Sequence, residues 1–393
     1  MNRKQFSCFL LFSVIYSGEF NDVNIDDISS TRILSIAQDS TGFIWIGTDD
    51  GLNRYDGFQN KVYRSDVFDE ATISGNRIWK IHVDKSNTTW VLTDRGVCYY
   101  DALRDQFRRI DTGSRPQHIQ DKNNTLYVST LNSGVYAINK ETKLFKNYLF
   151  DPLDPFSISS SKFSHQQTKP TAIDGDNIWI GTMNGLNRVN QNTGQAKRLY
   201  NNKTSYVKSD TITATLFVDD VLYVGTSRGL SFHGGNNGEP VQLGAFESRH
   251  ILNLFLIKET GAVGVVSKNK LGIFEKRAVL KTIKTNTHLS HVRSLGPGQY
   301  LLNSPENKNA VFLSVDIDTD ETYQTNKVGL PIKTIDILVD NEGGAWLVGE
   351  SGMVRTNNIE TPSVFTPIPH LKETSFDQFE QSIYVLNQNK IIR

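Results

Sequence analysis

The chain has 393 residues, of which 38% are hydrophobic and 10% aromatic, so it is long enough to bury a large core. Lys plus Arg and Asp plus Glu both total 42, and the formal net charge is zero. A nucleic-acid-binding protein usually carries a basic excess, so no nucleic-acid partner is expected. No segment approaches the roughly 18 consecutive apolar residues of a membrane-spanning helix. We therefore expect a membrane link only through a segment absent from this chain.

The first residues differ from the remainder of the chain. Asn2-Arg3-Lys4 is basic, Phe6 to Tyr16 is apolar, and Ser17-Gly18 is small. This order is typical of a secretory signal peptide, so the sequence predicts a signal peptide over residues 1–18 and a periplasmic location for the rest. A buried N-terminal helix or strand is the alternative interpretation.

The chain contains two cysteines. Cys8 would leave with the signal peptide, and Cys98 would then be the single cysteine of the mature chain. We expect no internal disulfide and no cysteine-based metal cluster. Cys98 lies in an apolar strand pattern and is predicted to be a buried structural thiol.

Residues 20–26 precede a motif that returns along the chain, and they could supply a strand that closes a ring. The first copy of the motif runs from Phe43 through Trp45 to Asp56. Its apolar start predicts a strand buried on both faces, and Gly51 is expected to supply the positive φ of a tight hairpin. In five copies a glycine follows the aromatic residue by six positions: Trp45 and Gly51, Trp90 and Gly96, Trp179 and Gly185, Tyr223 and Gly229, Trp346 and Gly352.

Strand patterns before and after this hairpin, at 33–39 and 59–63, complete a unit of four antiparallel strands. An aspartate also precedes the tryptophan by six residues in three copies: Asp39 and Trp45, Asp84 and Trp90, Asp340 and Trp346. A further copy is centred on Tyr127, two degenerate copies lie near 263–274 and 300–315, and a last copy begins at Ile383.

The repeat period predicts the fold class. From Trp45 to Tyr384 the chain makes eight steps over 339 residues, about 42 residues each. Four short strands at this period are typical of an all-β fold, a β-propeller of four-stranded antiparallel blades. We favour seven blades over residues 19–326, with residues 327–393 starting a second, incomplete propeller. A single ring of eight blades, closed against the N-terminal strand, is the alternative.

The first repeat also resembles a known family. Ile28-Ser29-Ser30 followed by Asp39 to Gly57 is similar to the two-component regulator propeller repeat, and the same resemblance covers the copies at Trp90, Trp179, Tyr223 and Trp346. The resemblance implies the periplasmic sensor region of a bacterial histidine kinase or diguanylate cyclase, in which paired seven-bladed propellers commonly sense oligosaccharides. The chain shows no kinase motif, so any enzymatic output is expected outside it.

Several motifs suggest chemistry, but each has a simpler interpretation. Gly225-Thr226-Ser227-Arg228-Gly229 matches a nucleophile elbow, yet it falls in the repeat hairpin instead of a strand-to-helix turn. Asp49-Asp50 could be paired carboxylates, although turn chemistry explains them. Asp316 to Asp320 has the spacing of a calcium loop without its glycine and its final glutamate. His288 and His291 have no metal-ligand spacing and are predicted to be surface groups.

The sequence therefore predicts no catalytic, metal-binding or cofactor-binding residue. The four tryptophans of the repeat frame are expected to pack between blades, and Trp79 is expected in the core as well. Ligand-binding residues are unknown, and the loops at 66–74 and 151–164, which break the repeat, are the expected source. The predicted function is extracytoplasmic sensing of a small molecule or glycan, with self-association as a dimer. A polysaccharide-processing enzyme and an envelope interaction scaffold are the alternatives.

Overall fold

The computed structural model describes residues 20–163, 169–199, 209–234, 241–242, 246, 249–285, 287–317 and 321–356, together with the backbone of three strands between 376 and 392. The predicted signal peptide lies outside these residues. The described chain is all-β and contains eight four-stranded antiparallel sheets, the blades, and one three-stranded sheet. In this part of the chain, no helix has the length and apolar composition that crossing a bilayer requires.

Each blade follows the chain order of its strands, except that the eighth takes its last strand from the N-terminus. Blade 1 comprises β2 (Ile33–Gln38), β3 (Ile44–Thr48), β4 (Leu52–Tyr55) and β5 (Asn60–Tyr63). Blade 2 comprises β6 (Ile78–Val83), β7 (Thr89–Thr93), β8 (Val97–Asp101) and β9 (Gln106–Ile110). Blade 3 comprises β10 (Pro116–Lys122), β11 (Thr125–Thr130), β12 (Val135–Asn139) and β13 (Phe145–Tyr148). Blade 4 comprises β14 (Thr171–Asp174), β15 (Asn177–Thr182), β16 (Gly185–Asn190) and β17 (Ala196–Leu199).

The second half of the ring repeats this order. Blade 5 comprises β18 (Ile212–Val218), β19 (Val221–Thr226), β20 (Gly229–Gly234) and β21 (Val241–Gln242). Blade 6 comprises β22 (Ile251–Leu256), β23 (Val263–Ser267), β24 (Lys270–Glu275) and β25 (Ala278–Lys284). Blade 7 comprises β26 (His291–Gly296), β27 (Gln299–Asn303), β28 (Asn309–Val315) and β29 (Tyr323–Gly329). Blade 8 comprises β30 (Asp336–Val339), β31 (Ala345–Gly349), β32 (Gly352–Thr356) and β1 (Phe20–Asp22). The three-stranded sheet comprises β33 (Phe376–Phe379), β34 (Ser382–Asn387) and β35 (Lys390–Ile392).

The N-terminal strand closes the ring. β1 pairs antiparallel with β32, so that Phe20 lies opposite Thr356 and Asp22 opposite Val354. The ring therefore has eight blades, the alternative to the seven that the sequence analysis favoured. The copy at Trp346 belongs to this ring, because the strand that completes its sheet comes from the other end of the described chain.

Eight apolar clusters fill the spaces between neighbouring blades and run around the whole ring. The tryptophans of the repeat frame lie in them, as predicted: Trp45 packs against blade 2, Trp90 against blade 3, Trp179 against blade 5 and Trp346 against blade 1. The thiol of Cys98 is buried in the same way, and burial raises its pKa to about 11.

Hydrogen bonds explain the spacing of the repeat. Asp39 accepts the indole N–H of Trp45 at 2.8 Å through one oxygen, while the other caps the β2–β3 turn at the backbone N–H groups of Thr41 and Phe43. The pairs Asp84–Trp90 and Asp340–Trp346 repeat the 2.8 Å bond. In the next hairpin Gly51 has φ +141°, as predicted for a position that favours glycine. The motif is therefore a structural device of the blade.

Candidate ligand-binding channel

A cavity of about 1000 Å³ lies at the centre of the ring. Its walls come mainly from the first strands of the blades, including β6, β10, β22 and β26, and its rim includes the β23–β24 and β27–β28 hairpins. Successive connections of an antiparallel blade alternate between its two ends. The rim hairpins therefore lie on the same face of the ring as the loops that join one blade to the next, and we name this side the upper face.

A β-bulge in the first strand directs side chains into this channel. In blades 1, 2, 3, 5 and 6 the register shifts by one residue near the start of the strand. A bulge re-aims side chains because two residues then oppose one on the partner strand. The residue just after the shift occupies an equivalent position in each of these blades, and Asp336 of blade 8 matches it in register: Ser35, Lys80, His118, Ala214, Asn253 and Asp336.

Asp336 joins four blades at the centre of the ring. One carboxylate oxygen accepts hydrogen bonds from Lys80 Nζ at 2.7 Å and from Ser35 Oγ at 3.0 Å, and the other accepts from Arg293 Nε at 2.7 Å. Only 3% of the Asp336 side chain is exposed. Burial by itself raises the pKa of this carboxyl, but Arg293 and Lys80 outweigh burial and hold the pKa well below its usual range. Asp336 is therefore ionised and links Ser35, Lys80 and Arg293, and we call these four residues the Asp336 clamp.

A third cation, Lys169, faces the same channel from the segment just before β14. Burial, together with the nearby charge of Arg293, lowers its pKa to about 8. Burial also lowers the pKa of His118 to about 3, and Lys169, Lys80 and Arg293 lower it further. The histidine is therefore neutral at pH 7. Among the described residues, three cations, Lys80, Lys169 and Arg293, lie beside one carboxylate at the centre of the channel.

Trp79 also lines the channel, so its predicted place in the core is wrong. It lies at the bulge of β6, where the shift between Ile78 and Lys80 breaks the alternation on which the prediction rested. The guanidinium carbons of Arg77 and Arg115 lie 4.2 and 4.7 Å from the centre of its ring. Both guanidinium groups therefore lie against the ring of Trp79, and its indole N–H has no partner among the described residues.

His291 is a second correction. The sequence analysis placed it on the surface with His288, but His291 is half-buried and lines the channel at the start of β26. Burial, reinforced by Arg293, lowers its pKa to about 4. His288 lies at the rim, where Nδ1 is 3.2 Å from a carboxylate oxygen of Glu306. The alternation of β26 could not be recognised because this blade is one of the degenerate copies.

Three buried polar atoms on the channel wall have no hydrogen-bond partner among the described residues: Trp79 Nε1, His250 Nε2 and Asn253 Oδ1. Buried polar groups in native proteins are almost always satisfied, so such atoms require an explanation. Together they offer both donors and acceptors to a ligand. Sequence reasoning gave none of them a binding role, because none carries a motif and two of them, Trp79 and Asn253, lie at the bulge of a first strand.

Of the two loops predicted to bind ligand, 66–74 and 151–164, the described residues 66–74 and 151–163 do not contribute to the wall of this channel, and residue 164 lies outside the described residues. Both join the last strand of one blade to the first strand of the next, so both lie at the upper face. Arg109 donates to the carbonyls of residues 66, 69, 72 and 73, and Arg198 donates to those of residues 154 and 157. The loops are therefore the same arginine-centred motif used twice. Their tips expose Phe68 by 95% and Leu153 by 91%.

The motifs that the sequence analysis set aside lie in turns. Ser227 is in the hairpin between β19 and β20, where its hydroxyl is 2.9 Å from that of Ser209. Asp50 is in the matching hairpin of blade 1, with a carboxylate oxygen 3.2 Å from Arg64. Asp316 begins a segment that lies partly outside the described residues.

The class of protein defined by this ring and channel is an eight-bladed β-propeller with a polar, cationic axial cavity. Residues 27–50 match the two component regulator propeller family. The match falls on the first repeat and confirms that the chain carries the repeat predicted from its sequence.

Comparisons with individual proteins are consistent with this assignment. Fifty residues are 44% identical to Histidine kinase P4 of Formosa agariphila, which corresponds to 13% of this chain and 4% of that relative. A solved structure described as the extracellular domain of a hybrid two-component system from B. thetaiotaomicron gives a TM-score of 0.53 at 17% identity, covering 96% of this chain and 49% of that chain. A second such domain from the same organism gives 0.51 at 18% identity, covering 96% and 46%.

BamB from Moraxella catarrhalis gives a TM-score of 0.55 at 14% identity, covering 86% of this chain and 99% of that one. At these identities the similarity to solved structures shows the fold alone. The chain spans about half the length of the two extracellular domains and a small fraction of the curated relative.

Proposed function

We propose that this propeller is the ligand-sensing region of a bacterial two-component or cyclic-di-GMP signalling protein, that it works outside the cytoplasm, and that its axial channel binds the ligand. The observation that carries the proposal is the channel itself. Its volume is that of a small-molecule site, and it collects polar atoms that the protein leaves without partners. The regulator propeller repeat, and the relatives described as extracellular, support the signalling context.

An oligosaccharide suits this wall. Sugar hydroxyls both donate and accept hydrogen bonds, and the wall offers Trp79 Nε1 as a donor, Asn253 Oδ1 as an acceptor and neutral imidazoles that can do either. Unmade hydrogen bonds to such groups disfavour ligands that lack matching atoms, which gives the site selectivity.

The charge state of the channel favours binding over hydrolysis. Glycosidases need a carboxylic acid whose pKa is raised beside a second carboxylate. Asp336 has the opposite character, because Lys80 and Arg293 hold its pKa far below the usual range. The other carboxylate among the described residues of the wall, Glu306, lies 3.2 Å from His288 at the rim. This arrangement supports a role without catalysis in the channel.

The test fills the channel without disturbing a blade. Ser294 is exposed on the channel wall, and Ser86 is exposed in the turn between β6 and β7. S294W should abolish the rise in melting temperature that an oligosaccharide causes, while the matched S86W should retain it. Saturation at 100 times the dissociation constant should stabilise the protein by about 2.7 kcal/mol.

Chromatography of the ligand after incubation separates sensing from hydrolysis. An intact ligand supports the sensor, whereas cleavage by the wild type but not by S294W would establish an enzyme. Equal ligand responses in S294W and S86W would show that the ligand binds elsewhere.

A further inference from the structure

Lys169 differs from Lys80 and Arg293, the other cations at the centre of the channel, because its side chain has no ion-pair or hydrogen-bond partner among the described residues. Lys258 and Lys268 also line the channel, but both are exposed, whereas Lys169 is half-buried. Lys80 and Arg293 both bind Asp336 at 2.7 Å. Lys140, a lysine outside the channel whose side chain is 7% exposed, binds Asp121 at 2.8 Å. Lys80, Arg293 and Lys140 are therefore each paired with a carboxylate, whereas Lys169 faces the cavity without one.

The position of Lys169 is nevertheless well defined. Its carbonyl accepts hydrogen bonds from the backbone N–H of Thr215 at 2.7 Å and from Thr215 Oγ1 at 3.2 Å. It also forms a parallel bridge with Ala214, which lies at the bulge-related position of blade 5. The backbone is thus anchored to the neighbouring blade, and the ammonium group extends from a rigid support.

We propose that the ligand carries an oxyanion, either a carboxylate or a sulfate group on a saccharide, and that Lys169 binds this group inside the channel. The inference rests on the proposed function, since it specifies the chemistry of the ligand for the same channel. Removing a charge from water is unfavourable unless the charge is paired. A bound oxyanion supplies that pair, and the hydrogen bonds to it are stronger than those to a neutral group.

The surroundings of Lys169 fit this role. Arg293 and Lys80 add positive potential, and His118 and His291 are neutral and can donate one hydrogen bond each. Among the described residues, Asp336 is the one carboxylate at the centre, and its two oxygens already accept hydrogen bonds from Lys80 and Arg293. An arriving oxyanion therefore meets an excess of positive charge, with the opposing carboxylate neutralised by its own partners.

The experiment compares K169M with K197M. Methionine keeps most of the length of the lysine stem, and Lys197 is an exposed residue of β17 that supplies the matched loss of charge. One set of probes consists of uronic-acid and sulfated oligosaccharides, each compared with its carboxyl-reduced or desulfated counterpart. The second set consists of sodium acetate and sodium sulfate, each compared with sodium chloride at equal ionic strength. Affinity is measured by calorimetry, and stabilisation by thermal unfolding.

We expect an acidic oligosaccharide to bind the wild type about tenfold or more tightly than its neutral counterpart, and K169M to lose this preference while K197M keeps it. The affinity of the wild type should also fall as the pH rises past about 8, where Lys169 loses its proton, and K169M should lack this step. Acetate and sulfate should raise the melting temperature of wild type and K197M more than that of K169M.

The melting temperature of ligand-free K169M is a further readout. A lysine retained for stability would leave the variant less stable, whereas a lysine retained for binding leaves it as stable as the wild type or more so. The proposal is overturned if K169M binds the acidic oligosaccharides as tightly as the wild type does. It is also overturned if no acidic probe, acetate and sulfate included, gives different results for the wild type and K169M. If an acidic oligosaccharide and its neutral counterpart bind equally well, and S294W abolishes the binding of both, the oxyanion proposal is wrong while the proposed function stands.

Discussion

The Asp336 clamp makes a quantitative prediction about the stability of the ring. D336N keeps the size of the side chain but removes the charge that balances Lys80 and Arg293. Breaking a fully buried pair in this way costs about 3–5 kcal/mol, whereas an exposed pair contributes about 0–1 kcal/mol. Lys80 and Arg293 keep 36% and 29% of their side chains accessible, so water can partly solvate the two positive charges that D336N leaves unpaired. We therefore expect D336N to lower the free energy of unfolding by about 2–4 kcal/mol.

The assay is urea unfolding at pH 7 followed by tryptophan fluorescence, because the tryptophans of the repeat frame are buried between blades. The matched control is E350Q, which breaks the exposed ion pair between Arg32 and Glu350 and should change the stability by less than about 1 kcal/mol. An unchanged dependence on urea concentration would show that the variants unfold from comparably compact states.

A double variant identifies the cause of the loss. K80M removes one of the two cations that D336N leaves without a counter-charge. The double variant K80M/D336N should therefore lose less stability than the sum of the two single variants. A loss below 1 kcal/mol for D336N, or strict additivity in the double variant, would refute the idea that the three charges act as one clamp.

Three further predictions concern acid, packing and closure. The pKa values of His118 and His291 in the folded ring, about 3 and about 4, lie below the usual 6.5, so below about pH 6.5 the unfolded chain binds protons that the folded ring does not. The free energy of unfolding should therefore fall as the pH drops below about 6.5, by about 1.4 kcal/mol per pH unit for each histidine. In urea titrations the variant H118Q/H291Q should lose less stability than the wild type between pH 7 and pH 5. In G181A the new Cβ would lie 2.3 Å from Ile212 of the next blade, and calorimetry should show a loss of about 1–3 kcal/mol, whereas a neutral result would mean that the blades shift apart freely. Deleting residues 20–26 removes β1 and the buried side chain of Ile25, so it should reduce stability by at least about 2 kcal/mol or abolish cooperative unfolding, and wild-type stability would contradict closure by this strand.

The blade could be predicted from the sequence because its markers have fixed physical roles. Asp39 must cap a turn and accept the indole N–H of Trp45, so aspartate and tryptophan recur at a constant distance. Gly47 recurs for a different reason, since a Cβ there would lie 2.6 Å from Ile78 of the next blade. Each role is satisfied within one blade or its neighbour, and a local pattern is enough to detect it.

The number of blades needed information that no local pattern holds. Ring closure depends on Phe20–Asp22 pairing with β32, more than 300 residues away. The repeat period allowed seven blades, which the sequence analysis favoured, or a single ring of eight closed against the N-terminal strand. The sequence was compatible with seven blades or with eight, and the long-range pairing of β1 with β32 determines that the ring has eight.

The channel escaped prediction for a geometric reason. A regular strand alternates between two faces, and that rule assigned Trp79 to the core. The bulge in β6 adds one residue, so Trp79 and Lys80 both line the cavity. The same shift recurs in β10, where it places Gln117 with His118 on the channel wall, and in β22, where it places Leu252 with Asn253 there.

The bulge also separates the residues that hold the ring from those free to bind. At its equivalent positions, Ser35 of blade 1 and Lys80 of blade 2 both donate hydrogen bonds to Asp336 of blade 8, so changes there should alter stability first. His118 and Asn253 occupy the same position in blades 3 and 6 without joining that network, and the carbonyl of Lys169 hydrogen-bonds to Thr215 beside the same position of blade 5. One half of the ring thus neutralises its central charges, while the other presents polar groups to the cavity. If this division is correct, substitutions in the first set should change unfolding more than ligand preference, and substitutions in the second should change ligand preference more than unfolding at pH 7.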